Sequence, residues 1–340
     1  MATFLGYPFD PELFNYNWSQ IKDPTLTAMF ESGAVVQDAQ IANLIANGSN
    51  VYTLPFHNVL GGTEDNYDGQ TNITATVPDG GAQSGIVYGR AHGWTEKDFV
   101  RDFNSGADPM HQITSQVDKF WQKRRQERLI GILGAVFGIS STDWNKHKTD
   151  ISSANTTVAA SNQIGAATFN EAITNALGDN RGLFSLAIMH SQVASALEKL
   201  NLLQFRTYTD VNGMTRKLNI ADCNGLAVIV DDGAPVTAAT GSVAAKYTTY
   251  LLGGGVVRFA KAPVEKPSEL ERSASTNGGQ TTLYTRLRET IHPYGFSFAM
   301  PANATSVSPT NAQLFASANW SIPTGVDVKN IAMAQIISNV

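Results

Sequence analysis

The side chains of this sequence that could do chemistry are few and far apart. The densest set is the basic run of Lys123, Arg124 and Arg125 with Glu127 and Arg128. On a helix, Arg124 and Arg128 share a face at i, i+4 and Glu127 comes within reach of Lys123. That arrangement suits a solvated face, or contact with a neighbouring subunit or a polyanion. Met189-His190-Ser191 sets a hydroxyl beside an imidazole at a helix start. No third group can be assigned to orient that base, so packing and helix capping are the simpler use of the triplet. Asp231-Asp232 precedes Gly233, and such a pair reads as a solvated turn before it reads as a cation site. His57 and His92, with Glu64, Asp65 and Asp68, could be imagined around a metal ion, but they lack the tight spacing of a ligand set.

Recognised motifs are absent as well. The chain has no Walker P-loop, no GxGxxG after a strand, no HExxH, no CxxC and no GxSxG. The expectation is a non-enzyme without catalytic, cofactor-binding or metal-ligating residues. With 340 residues it can bury a large core and has the length of about two domains. A net charge of -5 argues against a dedicated nucleic-acid binder. The single cysteine, Cys223, allows no intramolecular disulfide and suits a reducing compartment. MATFLGYPFDPELF lacks a basic region followed by an apolar one, so no signal peptide is expected, and no apolar run reaches the length of a membrane span.

The element that must position the basic run is residues 108–138. Asp108 suits the N-cap of a helix and Pro109 its first position. Ile113, Val117, Phe120 and Trp121 fall on one face, and the apolar pattern resumes after the charges with Leu129, Ile130, Ile132, Leu133, Val136 and Phe137. As one helix it is about 45 Å long. That is too long to lie across an ordinary compact core, so it reads as a spine.

Ahead of it, residues 1–23 carry Phe4, Tyr7, Phe9, Phe14, Tyr16 and Trp18 without the period of helix or strand, as an arm that packs outside its own fold would. Short helices are expected at 24–33 and 38–46. Strands at 51–60 and 84–94 flank a polar, glycine-rich stretch containing Tyr67, which predicts a long hairpin reaching away from the body. Residues 140–165 read as a linker or surface loop. Helices follow at 168–177 and 191–200, the latter with Val193, Ala196, Leu197 and Leu200 on its apolar face. Strands are expected at 226–230, 247–252, 255–260, 281–288 and 294–298, giving a mixed α/β domain. The apolar run 331–337 predicts a closing strand that returns to the first domain.

This order of parts, with the stretches VYTLPFHNVLGGTEDN, LFSLAIMHSQVASALEKL, LAVIVDDGAP and ANWSIPTGVDVKNIAMAQI, resembles a major capsid protein of a tailed bacteriophage with the HK97-type fold. The resemblance covers nearly the whole chain and rests on element order. It implies an α+β fold with an N-terminal arm (1–50), an extended β-hairpin loop (51–95), a peripheral domain with the spine helix (96–165), an α/β axial domain (166–289) and a return to the peripheral domain (290–340). It also implies a late structural protein, assembled in the host cytoplasm, whose hexamers and pentamers close into an icosahedral shell around double-stranded DNA in the virion.

Subunit contacts are then expected at Phe4, Tyr7, Phe9, Phe14, Trp18, Tyr67, Arg124, Arg125 and Arg128. The implied partners are other copies of itself, a separate scaffolding protein, a portal and packaged DNA touched without sequence specificity, with a decoration protein as an option. Some members of that family weld subunits through an isopeptide bond to a loop lysine. Residues 51–94 contain no lysine and the next is Lys97, so noncovalent locking is expected. The alternatives are an encapsulin-type nanocompartment shell, another self-associating phage structural protein, and a hydrolase with an unfamiliar site.

Overall fold

Residues 109–137 form one uninterrupted helix of 29 residues, as the spacing predicts. Pro109 occupies its first position, and just beyond its end the Gly138 N–H donates to the Gly134 carbonyl at 2.9 Å. The computed structural model describes residues 3–4, 7–8, 33–46, 48–57, 60, 62–77, 80–99, 109–178, 180–209, 215–223, 225–241 and 243–340.

In chain order the elements are β1 (Thr3–Phe4), β2 (Tyr7–Pro8), β3 (Val35–Gln37), α1 (Ala39–Ala46), β4 (Val51–His57), β5 (Gly80–Ile86), β6 (Tyr88–Lys97) and the long helix α2 (Pro109–Phe137). Next come β7 (Lys148–Asp150), α3 (Ala166–Leu177), β8 (Phe184–Met189), α4 (Ser191–Lys199), β9 (Gln204–Thr209), β10 (Thr215–Cys223), β11 (Leu226–Val230), β12 (Val236–Thr237) and β13 (Lys246–Gly253). The last part adds β14 (Val257–Ala262), β15 (Ser268–Ser273), β16 (Gln280–Pro293), β17 (Ser297–Phe298), α5 (Asn311–Leu314), β18 (Trp320–Ser321) and β19 (Met333–Ser338).

Helix α2 joins two cores. Its first half sets Val117 and Trp121 against Leu283, while Leu129, Ile130, Ile132, Leu133, Val136 and Phe137 of its second half enter the main core. A helix apolar on nearly every side has to be buried on nearly every side. Between the halves Lys123 and Arg124 are exposed, which is why the apolar pattern breaks mid-helix.

The larger sheet has the order β7-β19-β13-β8-β11-β10-β9, with β12 added to β13. Strands β8 and β11 run parallel, and their near-continuous apolar sequences are those of strands covered on both faces. The second sheet centres on β16. Its register gives β6 one edge over Gln280 to Glu289, and β15 then β14 the other, with β3 parallel to β14.

Several expectations need correction. The closing strand β19 returns to β7, within 96–165, as expected, but it also pairs with β13 on its other side, so it lies inside the larger sheet and not at the edge of a separate one. Residues 257–289, assigned to the axial domain, lie in the second sheet with β3 and β6. The boundaries 51–95, 166–289 and 290–340 therefore do not follow sheet membership, because an apolar strand pattern carries no information about its partner. The strand expected at 84–94 divides at Val87, whose N–H donates to the Asn50 carbonyl at 2.7 Å as the chain passes from one sheet to the next. The stretch 140–165 is not merely a surface loop: it buries Trp144, whose indole N–H donates to the Val136 carbonyl at 3.0 Å. On α4, Ala194 is buried while Leu200 is 56% exposed. The helix expected at 24–33 lies outside the described residues but for Gly33.

Leu133 is fully buried where α2 enters the main core. Leu133→Ala should cost about 2–5 kcal/mol, read as a lower urea midpoint at unchanged slope. A midpoint within error of wild type would show that the second half of α2 is not packed as described.

Candidate assembly interface

The hairpin β4–β5 is a two-stranded ribbon, an arrangement marginal by itself in water. Its root is fixed to the body. Tyr52, Leu54 and Phe56 turn inward at alternate positions of β4, and the Tyr52 hydroxyl lies 2.8 Å from the Thr290 hydroxyl. Glycine stands opposite each aromatic: Tyr52 pairs with Gly85 and Phe56 with Gly81. A Cβ at Gly85 would overlap the Tyr52 ring, so the ring lies across the partner strand only because glycine is there. The buried Gln83 side-chain Oε1 accepts from the Gly295 N–H at 2.7 Å, next to His292. Burial drives the His292 imidazole down to about 3, keeping it neutral near pH 7.

The far end of the hairpin is the opposite. Leu60, Tyr67, Ile73 and Val77 are 77%, 93%, 75% and 89% exposed, too many apolar side chains in one segment to leave to water without purpose. The segment keeps a local shape. The Asp68 carboxylate accepts from the Gln70 and Thr71 N–H groups at 2.8 and 2.6 Å, and those bonds, Thr71 first, hold it down near 2.

The arginines expected at subunit contacts are not used alike. Arg124 is exposed, pairs with Glu127 at 2.7 Å and lies over the Phe120 ring. Arg125 and Arg128 turn inward, a correction to the expected interface set. Arg125 Nε contacts Glu289 Oε2 at 3.0 Å and Arg128 contacts Oε1 at 2.6 Å. The carboxylate is only 1% exposed, and the Tyr88 hydroxyl and ring close the cluster. Burial pushes the Glu289 carboxyl up, but the charges of Arg125 and Arg128 outweigh it and hold it below the ordinary range. Around Glu289 both faces of β16 are buried, with Thr290, Ile291 and His292 beside it, so an acid there needs a buried cation. Phe4 and Tyr7 are backbone register partners in the β1–β2 pairing, whereas Phe9, Phe14 and Trp18 lie outside the described residues.

The residues that could suggest catalysis serve structure. His190 Nδ1 accepts from the Gln192 N–H at 3.1 Å and caps α4, so the nitrogen nearest the Ser191 hydroxyl already holds a donor. Asp232, 3.7 Å from the other ring nitrogen, is 74% exposed. His92 stacks on Phe120, across a ring edge from Trp94. Among the described residues no group of three or more His, Cys, Asp or Glu is placed to hold a metal ion, and no helix is long and apolar enough to cross a membrane.

Residues 129–332 match the Gp13-like family, described as Major capsid protein 13-like. The chain belongs to that family. It is 29% identical over 314 residues to the major capsid protein of Bacillus phage SPP1, spanning 91% of this chain and 90% of that one. Two solved capsids share the fold. For Ralstonia phage GP4 the TM-score is 0.54 at 8% identity, over 92% and 88% of the two chains. For cyanophage Pam1 it is 0.52 at 13% identity, over 86% and 85%. The protein is thus a major capsid protein with the HK97-like fold of tailed phages, a structural component of an icosahedral virion shell. Family membership decides against the encapsulin reading.

Glu289→Ala would leave two guanidiniums facing each other in a buried site and should destabilise the chain by about 3–5 kcal/mol. The depressed carboxyl stabilises the fold fully above its unfolded value near 4.3, and that contribution is lost as pH falls through the lower folded value. Urea midpoints should therefore fall more steeply below about pH 4.5 in wild type than in Glu289→Gln. Parallel profiles for the two proteins would refute the assignment.

Proposed function

We propose that this major capsid protein assembles as hexamers and pentamers around double-stranded DNA, held together mainly by its N-terminal arm and the far end of its hairpin. The observation that carries this reading is the exposed set Leu60, Tyr67, Ile73 and Val77 on a ribbon whose root is rigidly buried. Such a segment is satisfied by a neighbouring copy, and heterologous contacts of this kind close into rings and shells. Phe4, Tyr7, Phe9, Phe14 and Trp18 of the arm belong to the same contact set, as does Arg124 at the α2 surface. Residues 1–50 act as the arm and 51–86 as the extended loop. Two further bodies, one per sheet, correspond to the peripheral and axial parts.

A separate scaffolding protein and a portal join assembly in the host cytoplasm, and the DNA is enclosed without sequence-specific contact. A decoration protein on the outer surface is compatible with this arrangement. The chain itself catalyses nothing in this scheme.

Deleting residues 1–20 should leave a folded subunit whose closed shells, counted by electron microscopy, fall sharply. Normal shells, or an unfolded subunit, would show that the arm is not an intersubunit element. Locking is noncovalent, since residues 51–94 hold no lysine and Cys223 is buried. Mature particles boiled in denaturant and reductant should run as one band near 36.5 kDa; a ladder of covalent multimers would overturn this.

A further inference from the structure

A cleft of about 460 Å³ opens beside the first half of α2, lined by Ile113, Val117 and Phe120 and by Trp94 of β6. Phe120 meets Trp94 edge-on at 5.2 Å and stacks on His92 at 4.9 Å, so the wall is a fixed aromatic surface. Lys119 and Lys123 stand on the rim one helical turn apart, and no described lining residue is acidic. At i, i+4 their Cβ atoms lie about 6 Å apart. Cations above an apolar floor fit a segment that is apolar and acidic together.

Outside the described residues the sequence holds such a segment: FDPELFNY, residues 9–16, sets Asp10 and Glu12 among Phe9, Leu13, Phe14 and Tyr16, and the first basic residue of the chain is Lys22. Pro11 disfavours helical backbone at Asp10. In an extended segment residues 10 and 12 project to the same side about 7 Å apart, close to the spacing of the two lysines. We propose that this cleft receives residues 9–16 of a second copy of the chain. Asp10 and Glu12 then lie along Lys119 and Lys123, and the neighbouring apolar side chains pack on Trp94 and Phe120. This rests on the assembly reading above and names one of its contacts. The bound rings would bury apolar surface that a single chain leaves half exposed, while the paired charges set the register of the arm.

The test uses the full-length chain. A benzophenone amino acid replaces Phe120 in an equal mixture of isotopically heavy and light subunits, and irradiated assemblies are digested for mass spectrometry. Cross-links joining position 120 to residues 9–16 in heavy-light pairs are expected. Links only within one chain, to residues 100–108, to DNA or to another protein, or no links at all, overturn the proposal. In parallel, Lys119→Glu with Lys123→Glu should lower the assembled fraction about tenfold, equivalent to roughly 1.4 kcal/mol. Adding Asp10→Lys and Glu12→Lys should restore it; loss without restoration, or no loss in a folded subunit, counts against the contact. Wild type that forms no shells even when co-produced with the scaffolding protein of its own phage would instead sink the assembly reading itself.

Discussion

The carboxylate of Glu289, sealed from water between Arg125 and Arg128, fixes how the two halves of this subunit meet. It sits on β16, the strand around which the second sheet is built, and its partners sit on α2, which enters the main core at Leu129, the residue after Arg128. Apolar packing alone would tolerate small rotations of the helix over the sheet. A buried two-to-one charge cluster does not, because any rotation leaves a desolvated charge without a partner. Such a cluster contributes less net stability than well-packed hydrocarbon and more geometric definition. Arg125 and Arg128 also cover the Phe259 and Tyr88 rings, so each guanidinium is held on its face as well as its edge.

The hairpin shows how rigidity and availability are divided along one ribbon. At its root, Tyr52, Gln83, Thr290 and His292 form a buried polar knot against β16. Burial of His292 keeps it uncharged, so the knot carries no unpaired charge at neutral pH. At its far end the chain holds its shape with local hydrogen bonds to Asp65 and Asp68 and leaves its apolar side chains outside. Local bonds order the backbone without using the surfaces that neighbours need. A shell protein requires that combination: fixed aim with open contacts.

Legibility followed the range of the interaction. The long helix was readable to within a residue because capping preference, a proline at the first turn and apolar periodicity are all local. The first strand of the hairpin, α3 and β11 were readable for the same reason, whereas the hairpin's second strand was misplaced: 84–94 was expected and β5 is Gly80–Ile86. The basic run was found but half misread: periodicity places Arg125 and Arg128 on the helix without saying that Glu289, some 160 residues away, waits opposite.

By itself, then, the sequence determined the long helix, α3, α4 and β11 and the absence of any recognisable catalytic motif, since these depend on residue types at short spacing, while polar strands such as β9, β10 and β15 left no such pattern. It also carried the order of parts that marks the family. Tertiary structure alone decided which strands pair. Nothing in the short sequences of β14, β16 and β19 names a partner strand, and only their registers put β19 beside β13 and β16 beside β6. Tertiary structure likewise decided which charges face inward, because the energy of burying an ion depends on a partner that no local pattern contains.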